Sequence, residues 1–287
     1  MGFFYGVNGK KLQRQYKDYM SDFMSWNQKS HARTWLLYPE NMGTYLSIDE
    51  TALSQGELYT IITNKKAKGK KGALVGIFQG TKAEPIIKHL LKLPCSVRNK
   101  VREITLDMAH SMKHIVKVCF PKATQVTDRF HVQKLAIEAL QELRINYRWE
   151  ALDQENEAIK QCKINDKEYK PVILPNGDTA KQLLARSRYL LYKSPEKWTP
   201  SQKERGEVLF KVYPLLKKAY KLVQGLRNIF NQDTGIKIAY TKLAHWYKEV
   251  EESGFKSFQT VANSIRLNYR SILNYFVNRS TNASAES

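Results

Sequence analysis

The order of short β-type segments and helical segments in the first half of the chain most constrains its fold. Three runs rich in β-branched and aromatic residues, separated by turns that contain glycine, read TYLSID (44–49), ELYTIIT (57–63) and GALVGIF (72–78). A helix follows, with a capping box predicted at Thr81, and then strand VREITLD (101–107), a second helix, strand TQVTD (124–128) and a third helix to about Trp149. The predicted order is βββαβαβα, which is typical of an α/β fold.

Helical segments are predicted on both sides of this region. Residues 1–43 have apolar side chains at roughly helical spacing before Pro39 and Gly43 interrupt the pattern, so they are predicted as a short helical preface. From about Trp149 onward no strand is evident, apart from a possible short one within 169–178. Helices are predicted over Thr179–Tyr192, Ser201–Asn231 with a kink or break at Pro214, Gly235–Ser253 and Phe255–Arg279.

The charge of the chain favours a nucleic-acid partner. Lys and Arg number 47 against 27 Asp and Glu, a formal net charge of +20, which suits a polyphosphate. Charge alone fits a generically basic protein, for instance a ribosome-associated one, equally well. No apolar run is long enough for a membrane span and the N-terminus lacks the pattern of a secretory signal, so we expect a cytoplasmic protein with no membrane partner. The three cysteines, Cys95, Cys119 and Cys162, are odd in number and widely spaced, so they fit neither a disulfide framework nor a zinc site.

Two aspartates end apolar strands of the predicted sheet. Asp49 follows Tyr45-Leu46-Ser47-Ile48, and Asp107 follows Ile104-Thr105-Leu106. A single such residue is explained more simply as a turn cap or an ion pair. If the two strands are neighbours, the carboxylates converge, and their hard oxygen atoms suit Mg²⁺ or Mn²⁺. Two such ions can activate a hydroxyl and stabilise a leaving oxygen at phosphorus, which is chemistry that a basic protein could apply to DNA.

Two further groups of residues are candidates for functional contacts. Asp128 and His131 lie where a strand passes into a helix, and they could form a proton relay or a substrate contact, or could simply cap and pack the helix. Candidate DNA-binding residues are the lysines of the turn NKKAKGKKG and three arginines, although the turn could equally be a solvated loop: Lys65, Lys66, Lys68, Lys70, Lys71, Arg129, Arg186 and Arg188.

The helical block after Trp149 interleaves cations with aromatic residues. Arginines and lysines alternate there with side chains such as Tyr189, Tyr240 and Trp246. Such a pattern could hold DNA or stack an unpaired base. A helical bundle with an aromatic core and a charged, solvated face would give the same pattern.

Four motifs together resemble the ISL-three insertion-sequence family of DDE transposases. They are S-I-D-E at 47–50, T-L-D-M-A at 105–109, F-P-K-A-T-Q-V-T-D-R-F-H-V at 120–132 and N-A-S-A-E-S at 282–287. The resemblance implies a ribonuclease H-like mixed sheet, with Asp49 on its first strand and Asp107 on its fourth. It further implies a catalytic core over 44–148, a helical insertion over 149–277 and the start of a Glu-bearing helix of the core over 278–287.

The resemblance also implies the site and the activity. Asp49, Asp107 and Glu286 would be the catalytic, metal-binding carboxylates for two Mg²⁺ or Mn²⁺ ions, with Asp128 and His131 as a nearby D-x-x-H signature. The partners would be double-stranded DNA, as transposon ends and target, and further copies of the chain on that DNA in the bacterial nucleoid. No small-molecule cofactor is expected.

The sequence departs from the family pattern at both ends. It stops one residue after Glu286, whereas members continue through a basic helix, and the family's N-terminal zinc-binding and helix-turn-helix region is missing. We therefore expect a truncated product, whose last carboxylate would lack a preorganised setting. Two alternatives to an active transposase remain open. One is an inactive DNA-binding product that acts as a repressor or accessory, and the other is a ribonuclease H-like nuclease or resolvase.

Overall fold

The computed structural model describes residues 6, 8–52 and 56–281. Its strands are β1 (Trp35–Leu37), β2 (Tyr45–Ala52), β3 (Leu58–Asn64), β4 (Leu74–Gln79), β5 (Glu103–Leu106) and β6 (Thr124–Thr127). Its helices are α1 (Gly9–Gln15), α2 (Ala83–Leu90), α3 (Cys95–Arg98), α4 (His110–Cys119), α5 (Arg129–Ile164), α6 (Ala180–Arg186), α7 (Arg188–Tyr192), α8 (Pro200–Val212), α9 (Pro214–Asn231), α10 (Ile236–Ser253), α11 (Lys256–Leu267) and α12 (Tyr269–Asn278).

The six strands form one mixed sheet in the order β1-β4-β3-β2-β5-β6. β1, β4, β3 and β2 pair antiparallel, whereas β2 and β5 pair parallel. In the centre of the sheet Ser47 of β2 lies opposite Thr63 of β3 and opposite Thr105 of β5. The chain therefore has the α/β class expected from its sequence.

One face of the sheet carries the apolar core of the first part of the chain. Leu46 and Ile48 of β2 are buried there with Ile104 and Leu106 of β5. α2 and α4 complete the same cluster with apolar residues at helical spacing, which include Ile86, Leu90, Met112 and Ile115. Each fully buried side chain of this size contributes about 1.5–3 kcal/mol, so this cluster fixes β2 beside β5.

We did not predict β1 from the sequence, because residues 1–43 were assigned to a helical preface. α1 ends at Gln15 and a π-helical turn ends at Met20, and the next regular element is β1, paired antiparallel with β4. A run of only three residues, Trp-Leu-Leu, is too short to show the alternation of a strand. The sheet has six strands instead of the five that were expected.

The outer edge of β1 is hydrogen-bonded to the segment that precedes it. β1 pairs with β4 through alternate residues, so the backbone of Trp35 and Leu37 points away from β4. Trp35 N donates to His31 O over 3.0 Å, and Trp35 O accepts from His31 Nδ1 over 2.9 Å. Leu37 N donates to Gln28 Oε1 over 2.8 Å. The outward amides of Trp35 and Leu37 and the carbonyl of Trp35 are thus satisfied within the chain.

Residues 126–281 form a second compact unit that is almost entirely helical, and the described residues up to 125 form the first. Within the second unit α5 packs against α6, α7, α9 and α11. Trp246, Phe230, Phe258 and Tyr275 are buried in its core. The indole Nε1 of Trp246 donates to Leu222 O over 2.9 Å, so this large side chain is buried with its polar atom satisfied.

The helices of this unit confirm some predicted boundaries and correct others. α8 ends before Pro214, at which α9 begins, as expected, and the described residues 165–179 contain no strand. The capping box of α8 is Thr199 with Gln202, two residues before the predicted start of this helix at Ser201, and the N-cap of α2 is Lys82 and not Thr81.

α5 continues to Ile164, well past the predicted end near Trp149. The extension is rich in strong helix formers, and side-chain pairs such as Glu157 with Lys160 and with Gln161 support it. Across the part of the chain that the structure describes, no helix is long and apolar enough to cross a membrane.

Candidate active site

β2 and β5 place two aspartates side by side. The strands run parallel with Ser47 opposite Thr105, and Asp49 and Asp107 each come two residues later along the chain. Because side chains alternate between the faces of a strand, each aspartate lies on the same face as the paired residue before it. The two carboxylates therefore lie at the same level of the sheet, as expected if the two strands were neighbours.

Backbone amides orient both carboxylates. Ala109 N donates to Asp107 Oδ1 over 2.6 Å in the turn that leads into α4. Glu50 N donates to Asp49 Oδ1 over 2.8 Å. Short side chains of this type bind nearby backbone donors readily, which gives each carboxylate a defined direction.

A third acidic residue, Glu50, lies in the same electrostatic environment. Burial raises the pKa of the Glu50 carboxyl, and the negative charges of Asp107 and Asp49 raise it further. Three acidic groups are therefore close enough to repel one another. Glu50 was not among the residues predicted from the sequence, although its place beside Asp49 in the motif S-I-D-E was the available indication.

Lys113 on α4 is a cation near Asp107 that was also not predicted from the sequence. Burial lowers the pKa of its ammonium group, and the negative charge of Asp107 opposes that effect. Lys113 lies six residues after Asp107, beyond the turn that starts α4, so no local motif links the two.

A row of buried polar side chains underlies the carboxylates on the same face. Ser47 Oγ and Thr63 Oγ1 are 2.8 Å apart in a hydrogen bond. Lys65 Nζ donates to Thr105 Oγ1 over 2.7 Å and lies 4.0 Å from Glu103 Oε1. Buried polar groups require partners, so this row fixes the rotamers of the residues just before the aspartates.

The donor set favours a hard divalent cation. Asp49 and Asp107 provide carboxylate oxygens, the ligands that Mg²⁺ and Mn²⁺ prefer, at a point where negative charge accumulates. Among the described residues no cluster of three or more His, Cys, Asp or Glu side chains could hold a metal ion. Glu286, the third carboxylate expected from the sequence, lies outside the described residues.

Asp128 and His131 belong to the second unit, at the start of α5. Asp128 is buried and its side chain accepts from Phe130 N over 3.1 Å, so it is the N-cap of the helix. The buried His131 Nε2 has no hydrogen-bond partner within the described part of the chain, and the Phe130 ring meets the imidazole edge-on at 5.7 Å. The capping role was one of the two alternatives that the sequence left open.

The candidate DNA-binding residues differ in their surroundings. Lys66, Lys68, Lys70 and Lys71 are exposed in the turn between β3 and β4, whereas the ammonium group of Lys65 points into the sheet. The three arginines already have local contacts: Arg129 lies 5.9 Å from the Tyr275 ring, Arg186 pairs with Asp178, and Arg188 lies 5.5 Å from the Tyr189 ring.

Comparison with known protein families identifies the family to which the chain belongs. A family model described as transposase, that of the ISL3 DDE transposases, matches residues 46–287, which is most of the chain. The chain belongs to the ISL3 family of DDE transposases. The match begins on β2, so Asp49, Asp107 and Glu286 all lie within the part of this family member that matches.

A curated relative supports the same membership. This ISL3 family member is 23% identical over 225 residues to a protein named transposase for insertion sequence element IS1001, from Bordetella parapertussis. The aligned region covers 77% of this chain and 48% of the relative, so the chain spans about half the length of that protein. No solved structure matches the chain.

Proposed function

We propose that the chain is the catalytic part of an insertion-sequence transposase, which cleaves and joins DNA with two Mg²⁺ or Mn²⁺ ions. Asp49, Asp107 and Glu286 are the proposed catalytic and metal-binding residues. Family membership supports the reaction class. The observation that carries the proposal is the parallel pairing of β2 with β5, which brings Asp49 and Asp107 to one level of the sheet.

The proposed roles follow from the chemistry of phosphoryl transfer. Metal ions bound at such carboxylates would activate the attacking hydroxyl and stabilise the leaving oxygen. Asp49 and Asp107 would hold them, and amides of Glu50 and Ala109 fix the carboxylate directions in advance. Water would be the nucleophile for strand cleavage, and a DNA 3′-hydroxyl for strand transfer.

The proposed architecture is a ribonuclease H-like core interrupted by a helical insertion. If β1 is set aside, the elements from β2 to α5 follow the order βββαβαβα, with α3 as one additional turn of helix. The helical residues 149–277 would be the insertion between this core at 44–148 and its terminal helix at 278–287. The helical content of residues 126–281 supports that division.

The proposed partners are transposon ends and target DNA, bound by an oligomer of the chain in the bacterial nucleoid. The net charge of +20 supports a polyphosphate partner. The exposed lysines of the β3–β4 turn, Lys66, Lys68, Lys70 and Lys71, are positioned to meet phosphates without displacing any buried group. Arg129, Arg186 and Arg188 would add contacts from the helical unit.

The test is cleavage and joining of DNA that carries the ends of the element, with Mg²⁺ or Mn²⁺. We expect a version extended past Ser287, and its variant Asp153→Ala, which removes an exposed carboxylate on α5, to be active. The variants Asp49→Ala and Asp107→Ala of the same version should bind DNA without cutting it. Activity that survives Asp107→Ala would overturn the metal assignment. Wild-type DNA binding without cleavage would favour a repressor or accessory protein, and cleavage of branched DNA without joining would favour a nuclease or resolvase.

A further inference from the structure

A cleft with aromatic walls lies within the helical unit, at α10, α11 and α12. Its volume is about 340 Å³, within the range of about 300–1,000 Å³ that is typical of small-molecule sites. Three tyrosines, two leucines and one arginine line it: Tyr240, Leu243, Tyr247, Arg266, Tyr269 and Leu273. The motifs that suggest the proposed active site include none of these residues.

A fixed guanidinium group lies at this cleft. Arg266 is 4.8 Å from the ring centroid of Tyr247, and its Nη2 lies 2.5 Å from Glu251 Oε1. The contact with the ring and the partly exposed ion pair favour one orientation of the planar group. A planar cation that is already ordered loses little entropy when it meets a planar or anionic ligand.

The rest of the lining suits a flat, partly polar ligand. Leu243 and Leu273 are buried beneath the tyrosines, whereas Tyr240 and Tyr269 are 57% and 41% exposed. The hydroxyl of Tyr247 is buried and finds no hydrogen-bond partner in the portion of the chain that the structure describes. Burial raises its pKa to about 12, so the hydroxyl stays protonated and can donate.

We propose that this cleft binds one unpaired nucleobase of DNA, stacked on Tyr240 or Tyr269, with Arg266 beside it. The inference rests on the proposed function, since it takes DNA as the ligand. Aromatic faces bind every base by stacking, and arginine adds cation–π and phosphate contacts.

Charge favours a nucleic acid over a protein partner in this region. Residues 236–279 contain seven Lys and Arg against three Glu, and Arg270 lies beside the cleft with its Nε 3.1 Å from the Tyr269 hydroxyl. Such an excess of positive charge attracts phosphates. A protein partner with the usual mixture of positive and negative side chains would be attracted less strongly by this positive charge.

The experiment compares two DNA duplexes that differ in one nucleotide. One is fully paired, and the other carries a single unpaired 2-aminopurine, whose fluorescence is quenched by stacking. We expect wild type to bind the second duplex about fivefold or more tightly than the first and to quench the probe. At least one of Tyr240→Ala and Tyr269→Ala, and the double variant, should abolish the preference and the quenching, while binding of the paired duplex and the melting temperature stay unchanged.

Tyr189→Ala is the matched control, because Tyr189 is exposed and has Arg188 at 5.5 Å from its ring but does not line the cleft. It should keep the preference. Wild type that binds both duplexes equally, or variants that keep the preference, would overturn the cleft assignment alone. A changed oligomeric state in the cleft variants with an unchanged preference would overturn it in favour of a protein contact. Failure of wild type to bind any DNA would defeat the proposed function as well.

Discussion

Lys65 Nζ donates a hydrogen bond to Thr105 Oγ1 over 2.7 Å, two residues before Asp107 on the same run of chain. The same ammonium group lies 4.0 Å from the buried carboxylate of Glu103. A lysine at the end of β3 therefore fixes side chains of β5, the strand that presents Asp107.

We predict that Lys65→Met lowers the free energy of unfolding by about 1–3 kcal/mol, because a buried hydroxyl and a buried carboxylate lose a charged partner. Chemical denaturation of the metal-free protein measures the effect. Lys68→Met, in the same turn but exposed, should stay within about 0.5 kcal/mol of wild type. Equal effects of the two substitutions would show that the Lys65 hydrogen bond contributes nothing.

The exposed lysines of the β3–β4 turn should determine part of the salt dependence of DNA binding. Replacing Lys66, Lys68, Lys70 and Lys71 by alanine should reduce the slope of log K against log salt by about 0.9 for every phosphate that the turn no longer binds. Titrations at several salt concentrations give this slope. The matching fourfold arginine variant keeps the charge and should keep the slope, and an unchanged slope in the alanine variant would make the turn a solvated loop.

Asp107→Asn should separate metal binding from folding. Asn keeps the acceptor for Ala109 N but removes one of the charges that raise the pKa of Glu50. We expect the metal-free variant to be about as stable as wild type, because the relieved repulsion with Glu50 offsets the lost attraction to Lys113. Mg²⁺ or Mn²⁺ should raise the melting temperature of wild type and of Asp153→Asn but not of this variant. A metal effect that persists in Asp107→Asn would place the ions elsewhere.

Asp178 should make the stability of the helical unit depend on acid pH. Burial by itself raises the pKa of this carboxyl. Hydrogen bonds from Arg205, Arg186 and Asn176 outweigh that effect and hold the pKa below its usual value of 3.8. A lowered pKa in the folded state means that the ionised form stabilises the fold above about pH 3.8 and that this stability is lost as the pH falls through the folded-state pKa.

Asp178→Asn should accordingly lose about 2–4 kcal/mol of unfolding free energy at neutral pH, because two arginines lose their carboxylate. Wild type and variant should converge as the pH drops below 3.8. Denaturant titrations between neutral and acid pH would show this. A constant difference over the whole range would mean that the carboxylate charge is irrelevant.

Two helical glycines should respond in opposite directions to the same substitution. A Cβ on Gly206 of α8 would lie 2.8 Å from a ring carbon of Trp198, too close for an unchanged structure. A Cβ on Gly225 of α9 would meet Trp246 at 3.6 Å, an ordinary contact. We expect Gly206→Ala to cost about 1–3 kcal/mol and Gly225→Ala to add about 0.5–1 kcal/mol, as measured by thermal unfolding. Stabilisation by both would show that the Trp198 ring moves aside freely.

Local sequence patterns predicted five of the six strands of the sheet. The runs at 44–49, 57–63 and 72–78 overlap β2, β3 and β4, because β-branched residues between glycine-containing turns mark strands without tertiary information. β1 was not predicted because it has only three residues and depends on pairing with β4, about forty residues later. Pairing over such a distance leaves no local pattern.

The candidate site likewise has residues that local sequence patterns indicate and others that depend on long-range contacts. Each of Asp49 and Asp107 was singled out because it follows an apolar run in sequence. Asp107 does follow β5, but Asp49 lies within β2 and not at its end as expected, and the catalytic role of both stays a prediction. Glu50 was indicated only by its place beside Asp49, because strict alternation puts it on the opposite face, and the structure relates its carboxyl to Asp107. The inward direction of Lys65 was equally hidden, since four similar lysines follow it in an exposed turn.

The hydrogen bonds of His31 and Gln28 with β1 affect whether a second chain can pair with this edge of the sheet. An edge strand with unpaired backbone groups is a template on which a second chain can add a strand. In this chain the amides of Trp35 and Leu37 and the carbonyl of Trp35 are already engaged by the segment before β1. That segment thus protects the β1 edge of the sheet from strand-by-strand association with a second chain.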